Sequence, residues 1–99
     1  MVQRPYDLPP LTTLVAFEAA ARLGSFKDAA AALNVTPGAV SHQIRALEDE
    51  LGTALFDCIH RGVALTDDDR ALVSVLQTSF QSISQTIDRI RRPAHDRAI

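Results

Sequence analysis

Residues 24–52 read GSFKDAAAALNVTPGAVSHQIRALEDELG and predict two helices joined by a tight turn. Ser25 supplies a hydroxyl N-cap for the first helix, and Asp28 three residues later completes a weak form of the capping box. Asn34 tolerates the left-handed conformation that ends a helix at low cost, and Val35 is expected to fill the corner of the turn. This pattern is typical of a helix-turn-helix.

The helix after the turn is the most clearly marked element in the chain. Thr36 caps its N-terminus, Pro37 occupies the first helical position, and Gly52 ends it. The missing N–H of a proline costs no hydrogen bond at that position. The buried face is predicted from apolar residues at helical spacing, which are Val40, Ile44, Leu47 and Leu51.

A further helix and a short β-hairpin are predicted on either side of this pair. Residues 10–23 predict the first helix of the chain. Its apolar residues at helical spacing are Leu11, Leu14, Phe17 and Ala21. Residues 54–58 and 63–66 predict two short strands around a turn at Arg61 and Gly62. Such a hairpin is the wing of a winged helix-turn-helix.

A long final helix is predicted over residues 67–92. Thr66 supplies its N-cap, and the three carboxylates of residues 67–69 lie at the positive end of the helix dipole. Apolar residues recur alternately three and four positions apart, the rhythm of a coiled coil. They are Val73, Leu76, Phe80, Ile83, Ile87 and Ile90. This seam predicts a partner helix, and we assign it to homodimerisation. Pro93 is expected to end the helix, leaving residues 93–99 as a hinge or disordered tail.

Composition limits the fold class and the compartment. A chain of 99 residues, 46% of them hydrophobic, has room for one modest core, and its few aromatics favour aliphatic helix faces. The predicted class is mainly α: a winged helix-turn-helix of three helices plus a hairpin wing over residues 1–66, followed by a long dimerisation helix. No apolar run approaches the roughly 20 residues that span a bilayer, and the single cysteine, Cys58, excludes an internal disulfide. We expect a cytoplasmic, nucleoid-associated protein.

The positions of the charges carry the case for nucleic acid, because the net charge of −2 argues against it. The face opposite the buried stripe contains no acid in the N-terminal half of the helix after the turn. Its residues are Pro37, Gly38, Ser41, His42 and Arg45, with Gln43 toward one edge. Arg45 and Gln43 have donor and acceptor patterns that suit guanine and adenine edges. The acids at 48–50 lie at the C-terminal end of this helix, so we expect its N-terminus to point toward the DNA. Without the surrounding architecture, such a face is ordinary solvated surface.

The wing tip also has two interpretations. Arg61 beside Gly62 is an ordinary exposed hairpin tip in most proteins. Beside this helix pair, however, it is placed to enter a narrow minor groove. Both interpretations remain open on the sequence alone.

Residues 11–72 resemble the signature of the LysR-type bacterial transcription regulators. The matching residues are Phe17, Ala20, Ala21, Gly24, Ser25, Phe26, Ala29, Ala30, Leu33, Thr36, Pro37, Ala39, Val40, Ser41, Gln43, Ile44, Leu47, Glu48, Leu51, Gly52, Leu55, Phe56, Arg61, Leu65 and Thr66. The resemblance implies a linker helix that pairs two subunits, and binding to imperfect palindromes with flanking A·T character. It also implies DNA contacts by Ser25, Thr36, Pro37, Ser41, His42 and Arg45, supported by Arg61. With the residues chosen from the helix face, the predicted DNA-binding set is Ser25, Thr36, Pro37, Gly38, Ser41, His42, Gln43, Arg45, Arg61 and Gly62.

The chain departs from the family pattern at two positions. Cys58 stands where arginine is usual, and Asp69 stands where glycine is common. Losing a cation from the wing is expected to weaken phosphate attraction and flatten the salt dependence of binding. Family members also continue into an effector-binding domain, so we expect either an isolated module or a truncated gene product without a small-molecule effector site.

The alternatives to a homodimeric DNA reader are an interaction module, an enzyme and a metal protein. In the interaction module, the C-terminal helix pairs with a full-length relative, and the chain itself reads DNA poorly. An enzyme is disfavoured because Ser41 and His42 point in directions about 100° apart on a helix, and no third orienting group is evident. His42, His60 and His95 show no ligand spacing. We therefore predict no catalytic residue, no metal and no cofactor.

Overall fold

The computed structural model describes residues 6–57 and 64–92, which are mainly helical. The elements in chain order are α1 (Leu11–Leu23), α2 (Phe26–Leu33), α3 (Pro37–Leu51), β1 (Phe56–Asp57), β2 (Ala64–Leu65) and α4 (Asp67–Arg91). The predicted fold class is confirmed. The predicted wing turn at Arg61 and Gly62 lies outside the described residues, as do Cys58 and the tail 93–99.

Hydrogen bonds at the helix ends explain where the helices of the turn motif begin and stop. Ser25 Oγ accepts a hydrogen bond from Asp28 N–H at 3.0 Å, and Thr36 Oγ1 accepts one from Ala39 N–H at 3.1 Å. Each hydroxyl satisfies an N–H that the helix itself leaves unpaired. The residues after the three C-termini have the left-handed backbone, and they are Gly24, Asn34 and Gly52. These caps are local, and the sequence predicts those at Ser25, Asn34, Thr36 and Gly52.

A reciprocal capping box begins α4. Thr66 Oγ1 accepts from Asp69 N–H, and Asp69 Oδ2 accepts from Thr66 N–H, both at 3.1 Å. Asp69 is buried, with only 1% of its surface exposed. Asp69 therefore does more than add acidity at this departure from the family pattern: it fixes the start of the long helix.

The core forms where α1 packs against α2, α3 and α4. Phe17 is fully buried at its centre. The ring of Phe56, at the start of the wing, lies 5.2 Å from that of Phe17 and 5.6 Å from that of Phe26, measured between centroids. Phe56 also pairs with Leu65 across the antiparallel β1 and β2. The base of the wing is thus attached to the helical core by an aromatic cluster.

Two apolar residues that the sequence assigns to the interior, Leu51 and Val35, are exposed. Leu51 is 43% exposed, because it is the last residue of α3 and the chain turns away at Gly52. Leu11, the first residue of α1, is also exposed. Val35 is exposed as well, and the corner is closed instead by its backbone N–H, which donates to Ala30 O at 3.0 Å. Helical spacing predicts a direction, and only the neighbouring elements decide whether that direction is covered.

No helix within residues 6–57 and 64–92 combines the length and apolarity needed to cross a membrane.

Candidate nucleic-acid interface

The first turn of α3 is open to solvent and carries no acidic side chain. Thr36 holds the extended conformation of an N-cap, and Pro37 follows at the first helical position. The N–H groups at a helix N-terminus carry partial positive charge. No carboxylate of this turn compensates that charge, so the turn is electrostatically suited to approach an anion.

The outward face of α3 has the orientation that the sequence predicts. Its exposed members are Pro37, Gly38, His42 and Arg45, and its partly exposed members are Ser41 and Gln43. The opposite stripe is buried at Val40, Ile44 and Leu47. The structure therefore brings six of the predicted DNA-contacting residues onto one accessible surface. Their contact with DNA remains a prediction.

Arg45 and His42 carry the hydrogen-bond donors of this surface without an intramolecular partner in the described part of the chain. Within residues 6–57 and 64–92, ion pairs join Arg22 to Glu18 and Arg70 to Asp67, and neither involves Arg45 or His42. The guanidinium of Arg45 is thus free to meet an external acceptor. A planar guanidinium suits a bidentate contact to guanine or phosphate.

The remaining predicted contacts lie elsewhere. Ser25 is partly exposed at the N-terminus of α2, where its hydroxyl is already used as a cap, although a serine oxygen has two lone pairs. Thr36 has the same double use at α3. Arg61 and Gly62 fall in the part of the wing outside the described residues.

Sequence reasoning missed the role of Glu48. It places this acid only as a charge opposing the dipole at the C-terminal end of α3. In the structure, Glu48 Oε2 accepts a hydrogen bond from Leu55 N–H at 3.0 Å. Its main-chain oxygen also accepts from Gly52 N–H at 2.8 Å and from Thr53 N–H at 3.2 Å. One residue therefore holds the backbone that leads from α3 to the wing, and the pattern of sequence spacing alone contains no signal for this contact.

A second missed interaction joins α1 to α4. Gln77 Nε2 donates to Glu18 Oε2 at 3.3 Å. The signal in the sequence is a lone acid, Glu18, surrounded by the alanines and phenylalanine of the buried face of α1.

The predicted dimerisation seam divides into two halves. Val73, Leu76 and Phe80 pack against the core of the same chain. Ile83, Ile87 and Ile90 remain exposed, Ile83 by 52% and Ile90 by 66%. A single chain thus covers the first half of the seam and leaves the second half to solvent. Assignment of all six residues to a dimer interface remains a prediction.

No group of three or more histidine, cysteine, aspartate or glutamate side chains in residues 6–57 and 64–92 is arranged to hold a metal ion. His60, His95 and Cys58 lie outside these ranges.

Comparison with known proteins finds named relatives among bacterial regulators. The description "Bacterial regulatory helix-turn-helix protein, lysR family" matches residues 11–69. The HTH-type transcriptional activator AmpR of Rhodobacter capsulatus is 49% identical over 89 residues, covering 90% of this chain and 30% of AmpR. The HTH-type transcriptional regulator TrpI of Pseudomonas aeruginosa is 50% identical over 86 residues, covering 87% of this chain and 29% of TrpI. The chain thus spans about three tenths of the length of these relatives, which are regulators and not enzymes.

Similar solved structures include DNA-binding domains bound to DNA. The CbnR domain in its DNA complex superimposes with a TM-score of 0.72 and 30% identity, covering 84% of this chain and 95% of that one. The BenM domain in complex with catB site 1 DNA gives a TM-score of 0.78 and 27% identity, covering 85% of this chain and 93% of that one. With the capped turn motif and the sequence match over residues 11–69, this chain belongs to the LysR family of bacterial helix-turn-helix regulatory proteins.

Proposed function

We propose that this chain binds double-stranded DNA sequence-specifically as a homodimer and thereby regulates transcription. In this proposal the start of α3 enters the major groove, and the wing at Arg61 meets the minor groove or the phosphate backbone. The observation that carries it is the exposed, acid-free face of α3 with the unpartnered guanidinium of Arg45. The DNA complexes of the CbnR and BenM domains support the same mode of binding.

An apolar groove supports the homodimer. The groove lies between the start of α1 and the C-terminal half of α4, and its apolar lining is Leu11, Val15, Phe80, Ile83 and Ile87. Exposed apolar surface of this kind marks an interaction site when it is contiguous. The α4 helix of a second copy fits this requirement, because it presents the same isoleucines in return. The exposure of Leu11 at the start of α1 then has an explanation.

The dimer predicts the form of the operator. Two copies related by a dyad place their α3 helices on successive major grooves of one duplex face. The site is therefore expected to be dyad-symmetric, with half-sites about one helical turn apart. An asymmetric footprint, or protection of a single groove, contradicts this proposal.

Selection from a random duplex library followed by mobility shifts tests the function. The selected site and a scrambled duplex of the same composition are compared at increasing salt. A DNA reader keeps its preference for the selected site while both affinities fall with salt. An interaction module that only pairs with a longer relative shows no preference at any salt concentration, which would reject the proposal in favour of that alternative.

A further inference from the structure

Glu18 is an acidic residue within the buried face of α1. It is only 8% exposed, and its neighbours Phe17 and Ala19 are buried. A carboxylate removed from water is costly unless hydrogen bonds compensate it. An alanine or leucine would serve the packing of α1 better, so the acid requires an explanation outside this helix.

One carboxylate oxygen of Glu18 accepts two hydrogen bonds. Arg22 Nε, one turn later in α1, donates at 3.0 Å. Gln77 Nε2, in α4, donates at 3.3 Å across 59 positions of sequence. The first bond stays within α1, whereas the second joins the helix-turn-helix body to the long helix that carries the proposed dimer surface.

The hydrogen bond between Glu18 and Gln77 differs in kind from the apolar contacts around it. The apolar contacts of Leu76 and Phe80 with the core hold α4 against the body, but apolar contact is non-directional and permits rotation or sliding. A hydrogen bond is directional, so the bond of 3.3 Å between Gln77 Nε2 and Glu18 Oε2 favours one rotation and one register of α4. Glu18 and Gln77 therefore define the angle at which α4 leaves the body.

The length of α4 magnifies any error in this angle. Gln77 lies about 21 Å from the C-terminal end of the helix, at 1.5 Å per residue. A rotation of about 10° at this point moves that end by about 4 Å, which is comparable with the rise of about 3.4 Å between successive base pairs. The angle between α4 and the body thus translates into roughly one base pair of separation between two DNA-reading helices.

We infer that Glu18 is a positioning residue that acts through Gln77 to set the half-site spacing which the dimer accepts. The inference rests on the proposed homodimeric DNA binding and extends it by naming the residues that determine operator geometry. Neither Glu18 nor Gln77 belongs to the predicted DNA-contacting set.

A spacing series tests the role of Glu18. Two selected half-sites are placed in duplexes whose separation increases by one base pair at a time, and the affinity of the dimer is measured for each. The unaltered protein is expected to prefer one separation by about tenfold over its neighbours. Glu18→Ala and Gln77→Ala should each reduce this preference to about threefold or less. Affinity for a duplex with a single half-site should change by no more than about twofold, because α3 is not altered.

Arg22→Ala is the matched control. It removes the other partner of the same carboxylate but leaves the bond between α1 and α4, so the spacing preference should persist. Glu18→Gln should also retain the preference, because an amide oxygen can accept from Gln77. The double exchange Glu18→Gln with Gln77→Glu should likewise keep the preference, with donor and acceptor reversed. A merely structural role of Glu18 predicts lost stability without this pattern of loss and rescue.

The outcomes separate this inference from the proposed function. If Glu18→Ala and Gln77→Ala remain dimeric and keep the original spacing preference, the positioning role is overturned while the proposed function stands. Equal loss of preference in Arg22→Ala overturns it as well. If the unaltered protein is monomeric or shows no spacing preference, the proposed homodimer fails and the inference fails with it. Should Glu18→Ala not fold, Gln77→Ala decides, since it leaves the carboxylate paired with Arg22.

Discussion

At position 38 the free protein has room for a side chain. A Cβ there lies 3.9 Å from Thr36 Oγ1, its one near neighbour among the described residues, and Gly38 has no left-handed backbone to maintain. Glycine in a helix costs up to about 1 kcal/mol of stability relative to alanine. The chain's own packing therefore gives no reason for glycine, whereas close approach of the α3 backbone to DNA does.

Gly38→Ala is expected to separate stability from binding. Its free energy of unfolding should stay equal or rise by up to about 1 kcal/mol, because a helical glycine is replaced. Its affinity for the selected duplex should fall by about tenfold, because a methyl group enters a close contact. Urea unfolding and mobility shifts measure the two effects. The same substitution at Gly52, whose φ is 72°, should instead cost about 1–2 kcal/mol of stability. Unchanged DNA affinity of Gly38→Ala would argue against close approach at this turn.

The two arginines of the predicted site are expected to act differently. Arg45→Ala should relax base preference, because its guanidinium projects from the face proposed to read base edges. Arg61→Ala should lower affinity for all sequences and reduce the slope of log affinity against log salt by about one. Mobility shifts on matched and scrambled duplexes over a range of salt concentrations distinguish the two. Equal effects of both substitutions on both duplexes would contradict the assignment.

Among the secondary-structure elements, local interactions were predictable from the sequence and long-range ones were not. The caps at Ser25, Thr36 and Thr66 involve residues at most three positions apart, so the sequence contains both partners in one window. The bond between Glu18 and Gln77, and that between Glu48 and Leu55, depend on how separate elements pack. A sequence pattern predicts that a face is apolar, but not which polar atom of another element will lie beside it.

The link between α3 and the wing provides a prediction at this scale. Glu48→Ala removes the hydrogen-bond acceptor of the Leu55 N–H, and Leu55 is only 4% exposed. Leaving that N–H without its partner should lower the free energy of unfolding by about 1–2 kcal/mol, partly offset by relief of the unfavourable dipole interaction. Urea unfolding measures the change. Glu48→Gln keeps an acceptor oxygen and should lose less. Asp49→Ala, on the exposed side of the same helix end, removes the same charge without a bond to Leu55 and should not destabilise the protein. An equal loss there would show that the loss in Glu48→Ala is not specific to the bond with Leu55.

For the whole molecule, the sequence predicts one continuous seam along α4, and the structure divides it. Val73, Leu76 and Phe80 contribute to the core of a single chain, because α1 packs against this part of the helix. The isoleucines further along keep exposed surface, although Ile83 and Ile87 lie in a groove beside the start of α1. A regular heptad spacing cannot distinguish these two uses, since the same spacing serves an intramolecular and an intermolecular neighbour.

The division of the seam predicts which substitutions dissociate the dimer without unfolding the chain. Ile87→Asp should yield folded monomers, because it places a charge in the half of the seam that a single chain leaves partly open, where Ile87 is 38% exposed. Sedimentation equilibrium should show the lower mass while circular dichroism keeps the helical signal. Val75→Asp is the control: Val75 is an apolar residue of the same helix, 60% exposed against 38% for Ile87, and it lies outside the seam, so this variant should remain dimeric. Dissociation by both substitutions would indicate a general effect of charge on α4, and dimers that survive Ile87→Asp would place the interface elsewhere.

Because two half-sites are read together, the monomeric variant should also lose most of its preference for a dyad over a single half-site.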